Sequence, residues 1–122
     1  MDNLAEILKR KPLKHVKKDW GQEIWFVNNE KENYCGKLLE VNQGQGFKMH
    51  FHKEKVETFI IFKGKLKITL IDTRDRSQHT TILEVNDCLD LNRFIPHQIE
   101  ALKTTQIIEV STFHRDEDSY RI

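Results

Sequence analysis

The sequence predicts an all-β protein that forms a small barrel or sandwich. Residues 16–112 divide into eight to ten short segments rich in β-branched and aromatic residues, separated by turn residues. Only residues 3–10 carry apolar side chains at helical spacing. The 122 residues suffice for one domain with a hydrophobic core. We therefore expect one β-barrel domain with a short N-terminal helix.

Composition narrows the class of protein further. Apolar residues make up 38% of the chain and charged residues 32%, as in soluble globular proteins. No apolar stretch approaches the roughly 20 residues of a membrane span, and the N-terminus lacks the order of a signal peptide. Two cysteines indicate a reduced compartment. The net charge of +1 makes no case for nucleic acid. We expect a cytoplasmic protein without membrane or nucleic-acid partners.

The first ten residues predict a short helix. Asn3 can cap it, and Glu6 follows three residues later. Leu4, Ile7 and Leu8 recur at helical spacing but form a narrow apolar stripe. Because such a helix is unstable alone, we expect it to pack against the main body or a second subunit.

A basic segment follows the helix. Residues 9–18 contain six basic side chains and a histidine without any acid. The segment can be an arm that attracts a phosphorylated ligand or an anionic partner, or a solvated lead-in to the barrel, the commoner use of a charge run. We divide the chain into an N-terminal helical and basic arm, residues 1–15, and a barrel domain, residues 16–122.

Strand and turn signals then alternate to the end of the chain. The sequence Lys63-Gly64-Lys65 predicts a hairpin turn between two of the strands. The expected strands cover residues 20–27, 34–41, 46–52, 58–62, 66–71, 80–85, 88–91, 97–102 and 105–112.

Two histidines and a carboxylate stand out among these strands. His50 and His52 are two residues apart, so they lie on the same face of a strand. Glu57 follows after a short polar break, at the start of the returning strand. Imidazoles and a carboxylate on neighbouring strands can converge on one divalent metal ion. A lone His-x-His pair is also compatible with polar residues on an exposed face.

The spacing of five residues resembles a known family. Gly44, His50, His52, Glu57 and Gly64 are separated by gaps of five, one, four and six residues. This pattern is similar to the first motif of the cupin family at every position. Cupins are double-stranded β-helix (jelly-roll) barrels, and many hold a divalent metal ion inside. The resemblance implies the same cupin-type barrel here.

The second cupin motif is irregular in this chain. His97 lies where that motif supplies a further histidine. Asn86 and Phe94 replace its opening and inner glycines, although Asn can adopt the left-handed conformation of a glycine. The resemblance implies three histidines and one carboxylate as metal ligands, a set that suits Mn, Fe, Co, Ni or Zn. These ligands would be His50, His52, Glu57 and His97.

The flanking segments narrow the resemblance. The motifs at residues 20–23, 34–39 and 109–112 resemble those of small cupins that are related to type II phosphomannose isomerases. Those relatives act on sugars or sugar phosphates, which implies an isomerase or epimerase that moves a proton between carbons. Two alternatives stay open: a dioxygenase or lyase acting on a small organic acid, and a non-catalytic module that binds a small molecule.

Lys48 and Glu109 are the candidate catalytic residues. Strand alternation predicts that Lys48 points inward with the histidines, where it could bind an anionic group or transfer a proton. It could also extend along the barrel mouth. Glu109 lies in an apolar strand, where a carboxylate is costly unless paired. It would be a general base, as in the sugar isomerases that the chain resembles, or the partner of a nearby Lys or Arg.

The same alternation predicts an apolar outer face. Phe47, Met49 and Phe51 would point outward and need cover from the N-terminal helix or a second subunit. We therefore expect a homodimer.

Overall fold

Nine antiparallel strands and one short helix make up residues 3–122, the part of the chain that the computed structural model describes. The all-β prediction is confirmed. The elements are α1 (Leu4–Leu8), β1 (Lys14–Lys18), β2 (Gly21–Asn29), β3 (Tyr34–Val41), β4 (His50–Phe51), β5 (Glu57–Ile71), β6 (Gln78–Glu84), β7 (Cys88–Leu91), β8 (His97–Ser111) and β9 (Tyr120–Arg121).

The two longest strands, β5 and β8, pair antiparallel along most of their length. The first half of β5 and the second half of β8 lie in one sheet with β1, β2, β3 and β7. Their other halves continue into a second layer with β4, β6 and β9. The sheet therefore curls on itself, and its inner face encloses a pocket.

The predicted hairpin turn at residues 63–65 is wrong, as is the predicted break between residues 102 and 105. Both segments lie inside continuous strands, and the β5–β8 register shifts three times between Ile61 and Leu66. Gly64 has φ +95°, and a Cβ there would lie 2.5 Å from the Thr104 oxygen. The glycine permits a bulge that bends the strand without ending it.

Alternating residues of these strands form the core. Phe59 and Ile61 of β5 and Ile107 of β8 are almost completely buried, and their sequence neighbours Ile60 and Ile108 lie on the outer face. This period of two is the one that strand geometry imposes. This core holds in place the polar side chains on the inner face of the same strands.

Residues 45–48 do not form a regular strand, and this overturns the predicted direction of Phe47. A Cβ on Gly46 would lie 1.8 Å from the Ile99 oxygen, so this segment lies directly against β8. The Phe47 ring points inward, with its centroid 6.1 Å from that of Trp20 and 6.5 Å from that of Phe59. Alternation failed here because it holds only within a strand.

Helix α1 begins as predicted but contacts little. The Asn3 side chain accepts a hydrogen bond from the main-chain N–H of Glu6. Leu4, Ile7 and Leu8 are each at least 65% exposed, so the helix does not pack against the main body within residues 3–122. Strand β1 begins at Lys14 and spans the predicted boundary between the arm and the barrel.

In the irregular second motif, the two residues that replace glycines adopt the left-handed backbone conformation that a glycine would allow. Asn86 has φ +76° and Phe94 has φ +69°. Asn adopts this left-handed conformation readily, whereas Phe does so at a cost of about 1–2 kcal/mol. The Phe94 ring stacks on that of Phe51, with 6.4 Å between centroids, which helps to offset this cost.

Among residues 3–122, no helix is both long and apolar enough to span a membrane.

Candidate functional site

A cavity of about 740 Å³ opens from the inner face of the curled sheet. Strands β1, β2, β3, β5 and β8 contribute to its walls, together with the C-terminal segment. The cavity brings together all six residues that the sequence singled out. These are Lys48, His50, His52, Glu57, His97 and Glu109.

Three histidine side chains meet in this cavity. His50, His52 and His97 each place one ring nitrogen within 4.8 Å of the others. The Nδ1 atoms of all three rings contact main-chain carbonyl oxygens, those of Lys48, Asp118 and Ile95 respectively. Because a carbonyl can only accept, each Nδ1 carries the proton and each Nε2 keeps its lone pair. Such fixed tautomers suit metal ligation.

Glu57 lies beside two of these three histidines. Its Oε2 atom lies 3.2 Å from His52 Nε2 and 3.7 Å from His97 Nε2. Within residues 3–122, Glu57 Oε2 and His97 Nε2 are buried without a hydrogen-bond partner. A carboxylate oxygen facing imidazole lone pairs is unfavourable unless a cation lies between them. The residues therefore fit a bound divalent metal ion.

The protonation states also fit. Burial, followed by the charge of His97, lowers the pKa of His50 to about 4. Burial alone would raise the pKa of Glu57, but the close approach of His52 and the positive charge of Lys55 outweigh it and lower that pKa. At neutral pH the site holds a neutral imidazole beside a carboxylate, the states that bind metals.

Lys55 is a central residue of the site that the sequence prediction missed. It is 3% exposed, and its Nζ lies 3.0 Å from Glu109 Oε2, 3.6 Å from Glu57 Oε1 and 3.1 Å from His114 Nδ1. Burial opposes its charge, but Glu109 and Glu57 outweigh burial and raise the pKa of Lys55. The signal in the sequence was Glu109 itself, because a carboxylate in an apolar strand needs a positively charged or hydrogen-bonding partner.

The two candidate catalytic residues occupy different environments. Glu109 is 4% exposed and forms an ion pair with Lys55, which was one of the two roles that the sequence left open for it. Lys48 lines the cavity but is exposed at its opening. Glu109 therefore lies deep in the cavity, where it shares Lys55 with Glu57, whereas Lys48 lies at the rim of the cavity.

A row of inward residues on three adjacent strands forms another wall. Lys14 of β1 pairs in register with Trp25 of β2, and Trp25 pairs with Lys37 of β3. The Nζ atoms of Lys14 and Lys37 lie 4.1 Å and 3.9 Å from the centroid of a Trp25 ring. Glu23 Oε1 accepts a hydrogen bond from Trp25 Nε1–H at 2.8 Å. Sequence reasoning did not identify this row, because it depends on strand register.

A curled jelly-roll sheet with three histidines and a glutamate on its inner face defines the class of protein: the chain is a cupin. The model of the D-lyxose isomerase family matches residues 23–103, more than half of the chain. The chain belongs to this family. No curated protein matches its sequence.

Solved structures support the fold. KdgF from Halomonas sp. is 14% identical, with a TM-score of 0.70, and the match covers 82% of this chain and 86% of KdgF. The capsular polysaccharide assembling protein CapF from Staphylococcus aureus is 18% identical, with a TM-score of 0.77 and coverage of 96% and 34%. The structure of oxalate decarboxylase from Bacillus subtilis at pH 4.6 has a TM-score of 0.76 at 15% identity, and the match covers 89% of this chain and 30% of the decarboxylase. The chain spans about a third of the length of the latter two.

Proposed function

We propose that this protein is a metal-dependent cupin that moves a proton between adjacent carbons of a sugar or sugar phosphate. The reaction would interconvert an aldose and a ketose, or two epimers. The observation that carries the proposal is the meeting of three histidines and Glu57, with its two unsatisfied buried atoms, beside the buried Glu109. Membership of the D-lyxose isomerase family supports a sugar as the substrate.

The four ligands would be His50, His52, Glu57 and His97, and the ion would be Mn, Fe, Co, Ni or Zn. When bound, such an ion would polarise the substrate's carbonyl oxygen and acidify the adjacent C–H bond. The Nδ1 hydrogen bonds hold the three rings in position without the ion.

Glu109 is the proposed general base. Its Oε2 is fixed by Lys55, and its Oε1 makes no hydrogen bond with any residue of 3–122, which leaves that oxygen for a substrate proton. Lys55 acts as a positioning residue, because it holds Glu109 and Glu57 at once. Lys48, at the exposed opening, would contact polar groups of the substrate rather than transfer the proton.

Proton exchange with solvent tests this function. We would incubate the metal-loaded protein with D-lyxose and other aldoses in deuterated water and follow the C2 proton by NMR. We expect loss of the C2 signal and growth of ketose signals. Glu109→Gln should slow the reaction by about 10²–10⁴-fold, as general-base removal does. Absence of exchange and of product with all aldopentoses, aldohexoses and their phosphates would contradict the proposal.

A non-catalytic sugar-binding module is the second candidate. The closed, buried Lys55–Glu109 ion pair favours it, since a carboxylate held in this way can serve structure alone. Sugar binding without any proton exchange, unchanged when both Glu109 and Lys48 are replaced, would support this function. Oxygen consumption by an iron-loaded sample would indicate a dioxygenase, and an unsaturated product from an organic acid would indicate a lyase.

We further propose that the protein is a cytoplasmic homodimer that acts on small molecules rather than on nucleic acid or a membrane. The outer sheet face carries an apolar row in which Ile24, Leu38 and Ile108 are cross-strand neighbours, and Phe62 is 58% exposed beside it. Cys35 and Cys88 are free thiols, which fits a reducing compartment. Light scattering during size-exclusion chromatography would give the oligomeric state.

A further inference from the structure

We propose that the cavity contains an anion-binding site formed by Lys14 and Lys37 around Trp25, and that the substrate carries a matching negative group. This group would be a phosphate monoester or a carboxylate on the sugar. The inference rests on the proposed function in taking a sugar as the ligand. It does not depend on whether the protein catalyses a reaction.

Lys37 is the strongest support for this site. Its side chain is 2% exposed and lines the cavity, and its ammonium forms no hydrogen bond with any residue of 3–122. The nearest acid is Glu23, 3.9 Å away, and that carboxylate already accepts from the Trp25 indole. Lys37 Nζ borders the cavity, so an anion bound there can supply the hydrogen bonds that residues 3–122 do not.

The register of the first three strands explains how the site forms. Lys14, Trp25 and Lys37 are direct cross-strand neighbours, and all three line the cavity. Both ammonium groups lie about 4 Å from a Trp25 ring centroid, within cation–π range. Two cations beside one indole repel each other, and an anion bound near them would remove that repulsion.

The charges of the remaining lining residues favour an anion as well. Lys55 is paired with Glu109 and Glu57, and the one negative charge left over by these three lies at the proposed metal site. Asp116 is hydrogen-bonded to His114, and Asp19 lies exposed at the opening. Within residues 3–122, four further lining cations form no ion pair. They are Lys14, Lys18, Lys48 and Arg121.

The distance from the histidine cluster suits the two ends of one small molecule. His114 lies between them, with its ring centroid 6.5 Å from that of His52 and 5.0 Å from that of Trp25. Lys37 is also the register neighbour of Glu109. A sugar whose carbonyl end lies at the cluster can therefore place a charged far end beside Lys37.

Calorimetric titration of the full-length, metal-loaded protein tests the site. The ligands are D-mannose, D-mannose 6-phosphate and D-mannuronate, which share their carbon skeleton and differ at C6, together with inorganic phosphate. The variants are Lys37→Met and Lys14→Met. Lys103→Met is the matched control, because Lys103 is exposed on β8 and does not line the cavity.

We expect one of the two charged sugars to bind at least about 10-fold more tightly than D-mannose, as a charge-assisted hydrogen bond permits. Whichever binds identifies phosphate or carboxylate as the group. Lys37→Met should remove most of this difference and change the affinity for D-mannose little, and Lys14→Met should act in the same direction. Lys103→Met should change nothing.

Stability separates this role from a structural one. Because Lys37→Met removes a buried charge, we expect it to unfold at a temperature no lower than the wild type without ligand. Equal affinity for neutral and charged sugars, or an equal loss for all of them in Lys37→Met, would overturn the anion site. If no sugar binds, the unfolding temperature with inorganic phosphate decides. A rise for the wild type but not for Lys37→Met supports the anion site and contradicts only the proposed sugar function. Equal effects on both contradict the anion site too.

Discussion

The main-chain oxygen of Asp118 accepts a hydrogen bond from Nδ1–H of His52, so the C-terminal segment holds one of the proposed metal ligands. The Asp118 carboxylate also accepts from the main-chain N–H groups of Lys53, Glu54 and Lys55. One buried residue therefore fixes both a ligand and the loop that leads to Glu57. This arrangement predicts that the C-terminal segment stabilises the site.

Replacing Asp118 should weaken both the fold and the metal site. Asp118→Ala leaves three main-chain donors without their acceptor, which we expect to cost about 1–3 kcal/mol in the free energy of unfolding. The main-chain oxygen that holds His52 remains in this variant, so metal affinity should fall only through displacement of the C-terminal segment and of the loop that leads to Glu57, by up to about 10–100-fold. Chemical denaturation and metal titration measure the two effects. The exposed neighbour Glu117, changed to Gln, is the control; an equal effect in both variants would contradict this role.

Metal binding should stabilise the wild type but not a variant that lacks a ligand. At a metal concentration 100 times the dissociation constant, the gain is about 2.7 kcal/mol. We expect a metal-dependent rise in unfolding temperature for the wild type and for His79→Ala, an exposed histidine outside the cluster. His97→Ala should show no such rise, and elemental analysis should find it substoichiometric in metal. A full equivalent of metal in His97→Ala would refute its assignment as a ligand.

The buried Lys55–Glu109 pair should show strong energetic coupling. Lys55→Met leaves two buried carboxylates without their cation, which we expect to cost about 3–5 kcal/mol. Adding Glu109→Gln removes one of these charges, so the double variant should be less unstable than the sum of the single effects predicts. A double-mutant cycle by urea denaturation measures this coupling.

The exposed Lys65–Glu84 pair, 3.7 Å apart, is the matched comparison for that cycle. Its coupling should be within about 0–1 kcal/mol, because solvent screens surface pairs. A coupling of Lys55 with Glu109 no larger than this would show that the buried pair has no special role.

His114 should make the metal-free protein less stable in acid. Burial, followed by the charges of Lys55 and Lys37, lowers the pKa of His114 to about 4 from its ordinary 6.5. The unfolded chain therefore binds a proton that the folded chain does not, so the stabilising contribution is complete above pH 6.5 and is lost as the pH falls toward 4. Thermal unfolding in the presence of a chelator, across this pH range, measures the loss.

His114→Gln should have a shallower decline in unfolding temperature over that range, since the variant lacks the titrating group. His79→Gln, at an exposed position, should keep the wild-type slope. Identical slopes for the wild type and His114→Gln would exclude His114 as a source of acid sensitivity.

The sequence alone was sufficient to predict the positions of side chains wherever local spacing sets their direction. The motif from Gly44 to Gly64, with His97, predicted the cupin barrel and the residues that now line one cavity. Asn86 takes the left-handed conformation expected of it. Phe47 was predicted wrongly, because residues 45–48 follow the surface of β8 rather than the alternation of a strand.

Tertiary structure alone decided which charges meet. Lys55 and Glu109 are 54 residues apart, and Lys14 reaches Lys37 only across β2, so no local spacing connects either pair. Gly64 likewise gives a bulge in one long strand instead of a turn, because β8 pairs with β5 on both sides of it. The sequence by itself predicted the cupin fold and the proposed ligands His50, His52 and Glu57, which lie at short spacings, whereas the pairing of β5 with β8 brings His97 to them. The buried lysines and their partners were decided by strand pairing and register, which bring distant residues together only when the sheet curls closed.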